Sequence, residues 1–155
     1  MGEQIIIRMY KKDDLEQLMA FMEACLPESG RCFEPNGAHK VMLHVDDNFE
    51  AFICAFEQKT GRIIGTCAYR PLKEDACELK CVYLYKEYHG QGIGTRMSKQ
   101  IMAYAKEKGY KEMYLDTIKE TSQRAIAMYK RLGFVQTEQY HESKRADLFM
   151  KCSLV

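Results

Sequence analysis

The fold is decided by residues 77–116, which read CELKCVYLYKEYHGQGIGTRMSKQIMAYAKEKGYKEMYLD. Apolar and β-rich residues predict a strand over Cys77–Tyr85, and apolar residues at helical spacing predict a helix from about Gly92 to Lys108. A further apolar run predicts a strand over Tyr110–Asp116. Because a helix joins the two strands, we expect them to be parallel neighbours with a right-handed connection.

The same patterns extend outward to a single domain covering residues 1–155. A first helix begins after Asp13 or Asp14, either of which can cap it, and ends at Pro27. Further helices are predicted over Ala38–Val45 and Ser122–Leu132. Further strands are predicted over Glu3–Tyr10, Phe49–Phe56, Arg62–Tyr69, Phe134–Thr137 and Arg145–Leu154. This order predicts an α/β (α+β) fold, with a mixed, largely antiparallel central sheet of about six or seven strands flanked by helices.

Composition and charge narrow the class of protein. The chain carries 23 basic and 22 acidic side chains, a net charge of +1, which disfavours electrostatic binding of nucleic acid. Its seven cysteines cannot all pair and lie among apolar neighbours, which predicts free thiols in a reducing compartment. The apolar N-terminal run is too short to cross a membrane, and no CxxC or HExxH spacing indicates a metal site. We therefore expect a soluble cytoplasmic protein with no nucleic-acid, membrane or metal partner.

The turn His89–Gly94 lies between a predicted strand and the start of a helix. Glycines let a backbone approach a ligand closely, and the first amides of a helix favour a bound diphosphate. A Walker-type phosphate loop would need a lysine where Thr95-Arg96 follows. The dinucleotide spacing G-x-G-x-x-G is not met, although Asp116 lies at a suitable distance for a ribose contact. A glycine-rich helix start without a ligand is the remaining alternative.

Three motifs resemble the GNAT superfamily of N-acetyltransferases. The turn His89–Gly94 is similar to the acetyl-CoA motif Arg/Gln-x-x-Gly-x-Gly/Ala, with His89 where the family prefers Arg or Gln. The run Cys81–Leu84 resembles the family's fourth strand. The segment Ser122–Phe134 is similar to the signature N-x-x-A-x-x-x-Y-x-x-x-G-F, with Ser122 in place of Asn. Together the motifs cover about the C-terminal half of the chain.

The resemblance implies a GNAT-like acyl-CoA N-acyltransferase fold, with acetyl-CoA as cosubstrate and no metal. In that family the loop amides hold the diphosphate, and the fourth strand pairs with the pantetheine arm and supplies a donor to the thioester oxygen. The residues implied to contact the coenzyme are Val82, Tyr83, Leu84, His89, Gly90, Gln91, Gly92, Ile93, Gly94, Thr95, Ser122 and Tyr129.

Acetyl transfer also needs a proton donor for the departing thiolate and a base for the amine. The resemblance implies Tyr129 as the donor, because a phenol has an ordinary pKa of about 10. Glu78 and Asp116 are alternative candidates for the base. The family transfers the acetyl group directly within a ternary complex, so no cysteine is assigned as an acyl carrier. The expected acceptor is a primary amine of a small molecule, and homodimers are common in the family.

Two other functions stay open at this point. One is coenzyme A binding without catalysis, as a sensor or partner module, and the other is binding of a nucleotide such as NAD or ATP. The acceptor is expected to contact Cys25–Asp47 and Gln136–Arg145. Since both segments carry both signs of charge, they indicate no preferred acceptor chemistry.

Overall fold

Seven strands form one mixed sheet in the computed structural model, which describes residues 4–155. The strands are β1 (Ile5–Met9), β2 (Ala51–Glu57), β3 (Ile63–Lys73), β4 (Ala76–Leu84), β5 (Glu112–Thr117), β6 (Val135–Gln136) and β7 (Leu148–Ser153). Their order is β1-β2-β3-β4-β5-β7-β6, and β4 and β5 are parallel while the other neighbours are antiparallel. The predicted mixed, largely antiparallel sheet and its parallel crossover are confirmed.

Helices flank the sheet and are joined to it by short 3-10 turns. The α-helices of the described residues are α1 (Leu15–Cys25), α2 (Val45–Asn48), α3 (Ile93–Glu107) and α4 (Gln123–Arg131). The apolar stripe predicted for the crossover helix is buried at Ile93, Met97, Ile101 and Ala105, where α3 packs on β2, β3 and β4. None of the helices in residues 4–155 combines the length and apolar character that a membrane span requires.

Two predicted strand ends are wrong by a few residues. β3 continues past Tyr69 to Lys73, because Pro71 still pairs with Cys77 across the tight turn into β4. β7 begins at Leu148 rather than Arg145. The residues before β7 form a turn. In it the Ser143 hydroxyl accepts hydrogen bonds from the backbone N–H groups of Arg145 and Ala146.

Smaller differences occur in the N-terminal third. The predicted first strand starts at Glu3, which lies outside the described residues. The predicted helix Ala38–Val45 is a 3-10 turn over Lys40–Leu43, followed by the four-residue α2. Ala38, Val41, Met42 and Val45 do lie at helical spacing, but His44, with φ −135° and ψ 56°, interrupts the helical backbone between the two turns.

Asp14 stands at the start of α1, but its side chain does not cap the helix as predicted. Its carboxylate instead accepts the Lys11 backbone N–H at 2.8 Å and two hydrogen bonds from the Arg8 guanidinium at 2.8 and 3.0 Å. Arg8 lies on β1, so this contact joins the edge strand to the helix. The hydrogen bond from Arg8 is the main reason that the pKa of Asp14 lies below its ordinary value.

A β-bulge interrupts β4 halfway along its length. Thr66 pairs with Tyr83 and Ala68 pairs with Lys80, so β4 has one more residue than β3 in this interval. The bulge contains Cys81, whose φ is +58° and whose carbonyl accepts the Thr66 hydroxyl at 2.7 Å. Because a bulge bends and twists its strand, β4 turns away from β5 here.

All seven cysteines are free, and only Cys32 is exposed. Burial raises the thiol pKa of Cys25, Cys77 and Cys81 to about 12. A thiol with such a pKa is protonated near neutral pH and is a weak nucleophile. These side chains therefore act as small apolar groups of the core.

Candidate active site

The site lies where β4 and β5 diverge. The two strands pair from Ala76 to Glu78, and no pairing joins them farther along the described chain. The β5-facing edge of Val82–Leu84 is therefore left without a strand partner. Two cavities open at this edge, and we call them the loop cavity and the tyrosine cavity.

The glycine turn presents free backbone amides at the start of α3. Gly92 stands at the helix start with φ +80°, and Gly90 has φ +82°, conformations that side chains disfavour. The first helical hydrogen bond runs from the Arg96 N–H to the Gly92 carbonyl at 3.0 Å. The amides of residues 93–95 therefore have no acceptor within the helix. A Cβ built on Gly90 or Gly92 would meet no heavy atom within 4 Å, so the space before the loop is open.

His89 fastens the turn to the end of β4. Its Nε2 lies 3.2 Å from the Leu84 carbonyl oxygen, to which an Nε2–H can donate. The Lys86 backbone N–H donates to the Glu28 carboxylate at 2.8 Å, which also ties this turn to the segment after α1. His89 therefore has a structural contact, which holds the turn against the end of β4.

The loop cavity has a volume of about 370 Å³ and brings together ten of the twelve predicted coenzyme contacts. These are Val82, Tyr83, Leu84, His89, Gly90, Gly92, Ile93, Gly94, Thr95 and Ser122. Gln91 and Tyr129 do not line it; Gln91 is exposed. The basic side chains on its wall are Arg31, Lys86, Arg124 and Arg131, against the single carboxylate of Glu28. This excess of positive charge favours a polyanionic ligand.

Helix α4 and its N-cap residue Ser122 contribute side chains to both cavities. Ser122, Ala125 and Tyr129 line the tyrosine cavity, and positions spaced by three and four residues share one helix face. Arg124 and Met128, spaced by four, line the loop cavity alone. Ser122 and Ala125 border both spaces.

The tyrosine cavity has a volume of about 310 Å³ and lies beyond the splayed end of β4. It shares Arg31, Val82, Tyr83, Ser122 and Ala125 with the loop cavity. A ligand could therefore extend from the glycine turn, along the open edge of β4, to Tyr129. Arg31 stands at this junction, where its Nη2 donates to the Ser122 hydroxyl at 3.4 Å and its guanidinium lies 5.8 Å from the Tyr83 ring centroid.

Tyr129 is 6% exposed, and its ring packs edge-on against Phe134 with centroids 5.7 Å apart. Its hydroxyl makes no hydrogen bond to any other residue of the described chain. Burial raises the pKa of Tyr129 well above its ordinary value. The phenol is therefore protonated at neutral pH, and its proton is available to a ligand in the cavity.

Glu78 lies outside both cavity walls and is 1% exposed. Its Oε1 accepts hydrogen bonds from Arg70 at 3.0 Å, and its Oε2 accepts one from the Tyr140 hydroxyl at 2.5 Å. Burial, followed by this bond to Glu78, raises the pKa of Tyr140. Both carboxylate oxygens of Glu78 are thus occupied by donors from the chain.

Asp116 lines the tyrosine cavity directly. Its Oδ2 lies 2.6 Å from the Nε2 of His141, and its Oδ1 lies 3.9 Å from the Lys80 ammonium. Glu78, Asp116 and His141 place ligand-type atoms within 4.8 Å of one another, as a metal site would. However, chain donors already occupy the oxygens of Glu78, and His141 is the hydrogen-bond partner of Asp116. A metal ion at this position would therefore compete with hydrogen bonds that these side chains already make.

Comparison with known proteins identifies the family. The model of the acetyltransferase (GNAT) family matches residues 15–134, which are 120 of the 155 residues. The chain belongs to the GNAT acetyltransferase family. The match includes α1, the bulged strand, the glycine turn and α4, and so covers the whole loop cavity and the tyrosine cavity except for Ser143, Arg145 and Ala146. The resemblance inferred from three short motifs is thereby confirmed.

Curated GNAT relatives match only part of their own length. An uncharacterised N-acetyltransferase of Schizosaccharomyces pombe is 34% identical over 84 residues, which are 54% of this chain and 51% of that protein. The chain spans about half the length, or less, of the curated relatives it matches.

Solved GNAT structures match almost the whole chain. A GNAT-family acetyltransferase from Staphylococcus aureus superposes with a TM-score of 0.87 at 19% identity and covers 98% of this chain and 100% of its own. The PaiA N-acetyltransferase of Thermoplasma acidophilum, solved in complex with coenzyme A, superposes with a TM-score of 0.76 at 19% identity and covers 97% and 99%. At these identities the likeness establishes the fold.

Sequence reasoning singled out none of the basic residues on the cavity walls, although Arg31 and Arg145 lie in the segments Cys25–Asp47 and Gln136–Arg145 that were expected to contact the acceptor. Arg124 and Arg131 lie in the same GNAT signature helix as Tyr129, so their spacing could have indicated a second functional face. Arg31 and Arg145 come from irregular segments far apart in the chain. No local pattern marked those two.

Proposed function

We propose that this GNAT protein transfers an acetyl group from acetyl-CoA directly to a primary amine of a small molecule. The observation that supports this most strongly is the pair of adjacent cavities on the open edge of β4, which share five lining residues. One has the glycine turn at its mouth and the other has Tyr129 and Asp116 on its wall. Such an arrangement can hold a long anionic cosubstrate and an acceptor at the same time.

The loop cavity fits a coenzyme A group on three grounds. The amides at the start of α3 are free to bind a diphosphate, the space before Gly90 and Gly92 is open, and the wall carries an excess of basic residues. The edge of Val82–Leu84 would pair with the pantetheine arm as an added strand. Bound there, acetyl-CoA supplies an activated acyl carbon, and an amide of this edge would donate to its oxygen.

Tyr129 would donate a proton to the departing sulfur. The hydroxyl is not used by the protein, it borders the acceptor space, and its raised pKa keeps it protonated. Burial also raises the pKa of thiols in this structure, as Cys81 shows at about 12. A coenzyme thiolate in the same surroundings would be similarly basic. The free energy of proton transfer from the phenol to the sulfur would therefore be closer to zero than in water.

Asp116 would accept the proton of the amine, directly or through a water molecule. Of the two carboxylates considered, it alone borders the cavity, whereas both oxygens of Glu78 are held by Arg70 and Tyr140. The Oδ1 of Asp116 makes no hydrogen bond to the described chain. We assign Glu78 as a positioning residue, because its neighbours Tyr140 and His141 belong to the segment that also contacts Asp116.

The test is a thiol-release assay with acetyl-CoA and a panel of primary amines, together with calorimetry of coenzyme A, ATP and NAD. We expect coenzyme A to bind, the two nucleotides not to bind, and at least one small amine to accelerate thiol release. If coenzyme A binds but every amine leaves the rate at the background of hydrolysis, the protein is a binding module. If coenzyme A does not bind, the assignment of both cavities is wrong.

A further inference from the structure

The tyrosine cavity has an unbalanced charge. The charged side chains on its wall are the four cations Arg31, Arg70, Lys80 and Arg145 and the carboxylate of Asp116. Two of these cations have acidic partners, since Arg70 binds Glu78 and Lys80 lies near Asp116. Arg31 and Arg145 have no carboxylate within 4.0 Å among residues 4–155.

These two arginines converge from distant parts of the chain. Arg31 follows the 3-10 turn after α1, and Arg145 precedes β7. Their charges both act on His39, whose pKa is lowered chiefly by burial and further by the two guanidiniums, against an opposing effect of Glu34. His39 also lines the cavity, and its Nδ1 accepts the Glu34 backbone N–H at 3.0 Å. The neutral ring therefore carries its proton on Nε2, as a further donor.

An unpaired guanidinium at a cavity wall is a ready partner for a planar anion. A carboxylate can accept two parallel hydrogen bonds from arginine, which is the strongest common geometry for this pair. A polycationic acceptor would instead meet net positive charge and only one carboxylate, that of Asp116. The wall thus favours an acceptor that is cationic at one end and anionic at the other.

On the basis of the proposed function, we infer that the acceptor is an amino carboxylate, such as a free amino acid, whose carboxylate is bound by Arg145 with Arg31. Its amino group would face Asp116, on the β5 side of the same cavity. This assigns a substrate class to the site and a specificity role to Arg145. It also excludes polyamines as preferred acceptors.

The test compares each amino acid with its own amide, which lacks only the carboxylate charge. Thiol release from acetyl-CoA is measured for both, in the wild type, in Arg145→Ala and in Lys144→Ala. Lys144 is the neighbouring cation; it is exposed, as is Arg145, but it does not line the cavity. We expect kcat/KM for the best amino acid to exceed that of its amide by at least about 10-fold, because a hydrogen-bonded charge pair is worth about 1.5–3 kcal/mol.

Arg145→Ala should reduce this preference by about 10- to 100-fold, mainly through KM for the acid, and any loss with the amide should be much smaller than the loss with the acid. Lys144→Ala should change neither. Equal rates for acid and amide in the wild type, or an equal loss for both in Arg145→Ala, would overturn the inference.

A binding measurement separates this inference from the proposed function. Calorimetry with N-acetyl amino acids and their amides, each with coenzyme A present, reports carboxylate recognition without any reaction. If the acids bind more tightly than the amides but no thiol is released, the proposed catalysis fails and the carboxylate site stands. If thiol is released but acids bind no better than amides, the carboxylate site fails and the proposed function stands.

Discussion

Replacing Tyr129 by Phe removes one oxygen atom from the wall of the tyrosine cavity. The hydroxyl has no hydrogen-bond partner in the described chain, and the ring contact with Phe134 does not involve it. The hydroxyl therefore makes no hydrogen bond that stabilises the fold. We expect the free energy of unfolding of Tyr129→Phe to differ from that of the wild type by less than about 0.5 kcal/mol.

Catalysis should respond very differently. A positioned proton donor contributes about 10²- to 10⁴-fold to a rate, which corresponds to about 3 to 5 kcal/mol at 1.36 kcal/mol per factor of ten. The loss should appear in kcat, because the proton is transferred as the carbon–sulfur bond breaks and the ground-state contacts of the coenzyme are unchanged. Coenzyme A affinity should stay within a few-fold of the wild type.

The assay pairs steady-state thiol release at saturating acetyl-CoA with urea unfolding of the same preparations. Tyr104→Phe is the matched control, since Tyr104 lies half-buried on α3 and lines neither cavity. A kcat for Tyr129→Phe within about 3-fold of the wild type would remove Tyr129 from the chemistry. A parallel loss of stability and activity would instead make it a core residue.

Three other substitutions probe the site and its support. Gly92→Asp should weaken coenzyme A binding by more than about 100-fold in calorimetry, because a carboxylate would face the diphosphate. Tyr140→Phe should lower the free energy of unfolding by about 1.5–3 kcal/mol in urea, since it removes a donor from the buried Glu78. Asp14→Asn should lower it by about 1–2 kcal/mol at pH 7, because it removes a charged partner of Arg8. The depressed pKa of Asp14 makes this contribution complete above the unfolded-state pKa of about 3.9 and lost as the pH falls below it.

Gly92→Asp and Asp14→Asn each have a control that shares the chemistry but lacks the contact. Gly61→Asp introduces the same residue at a φ of +75° in a distant turn, so it should cost stability and leave coenzyme binding intact. Asp13→Asn changes an exposed neighbour of Asp14 and should be nearly neutral at every pH. A Gly92→Asp protein with wild-type affinity, or an Asp14→Asn deficit that does not shrink as the pH is lowered from 7 into the acid range, would contradict the corresponding assignment.

The features that sequence predicted correctly are those with a local physical cause. Apolar residues at spacings of three and four on α3 specify which face is buried, and they do so without knowledge of the partner strands. The glycines of the turn at residues 89–94 indicate a backbone that must approach something closely, and Gly90 and Gly92 do have positive φ. Both signals lie within a few residues of the structure they describe.

The features that sequence alone could not define depend on how distant segments meet. Arg31 and Arg145 are 114 positions apart, and only the packing of the chain brings both to one cavity. Glu78 looked like a candidate base from its place on the fourth strand, yet its availability depends on Tyr140, which lies 62 positions away. Whether a carboxylate is free to react depends on the side chains around it, and the spacing of residues in the sequence does not predict which side chains those are.

The bulge at Cys81 links the fold to the proposed chemistry. An extra residue in a strand disrupts its ladder and bends it, and here it precedes the stretch of β4 that has left β5. Unpaired backbone N–H and C=O groups inside a protein are destabilising, so an open strand edge between two cavities is unfavourable unless something pairs with it. The tertiary structure nevertheless keeps the edge of Val82–Leu84 open, with Ser122 and Ala125 of α4 on the opposite wall. We therefore propose that a ligand arm, such as the pantetheine arm of coenzyme A, supplies the missing strand contacts along Val82–Leu84, which would explain why the fold keeps this edge open.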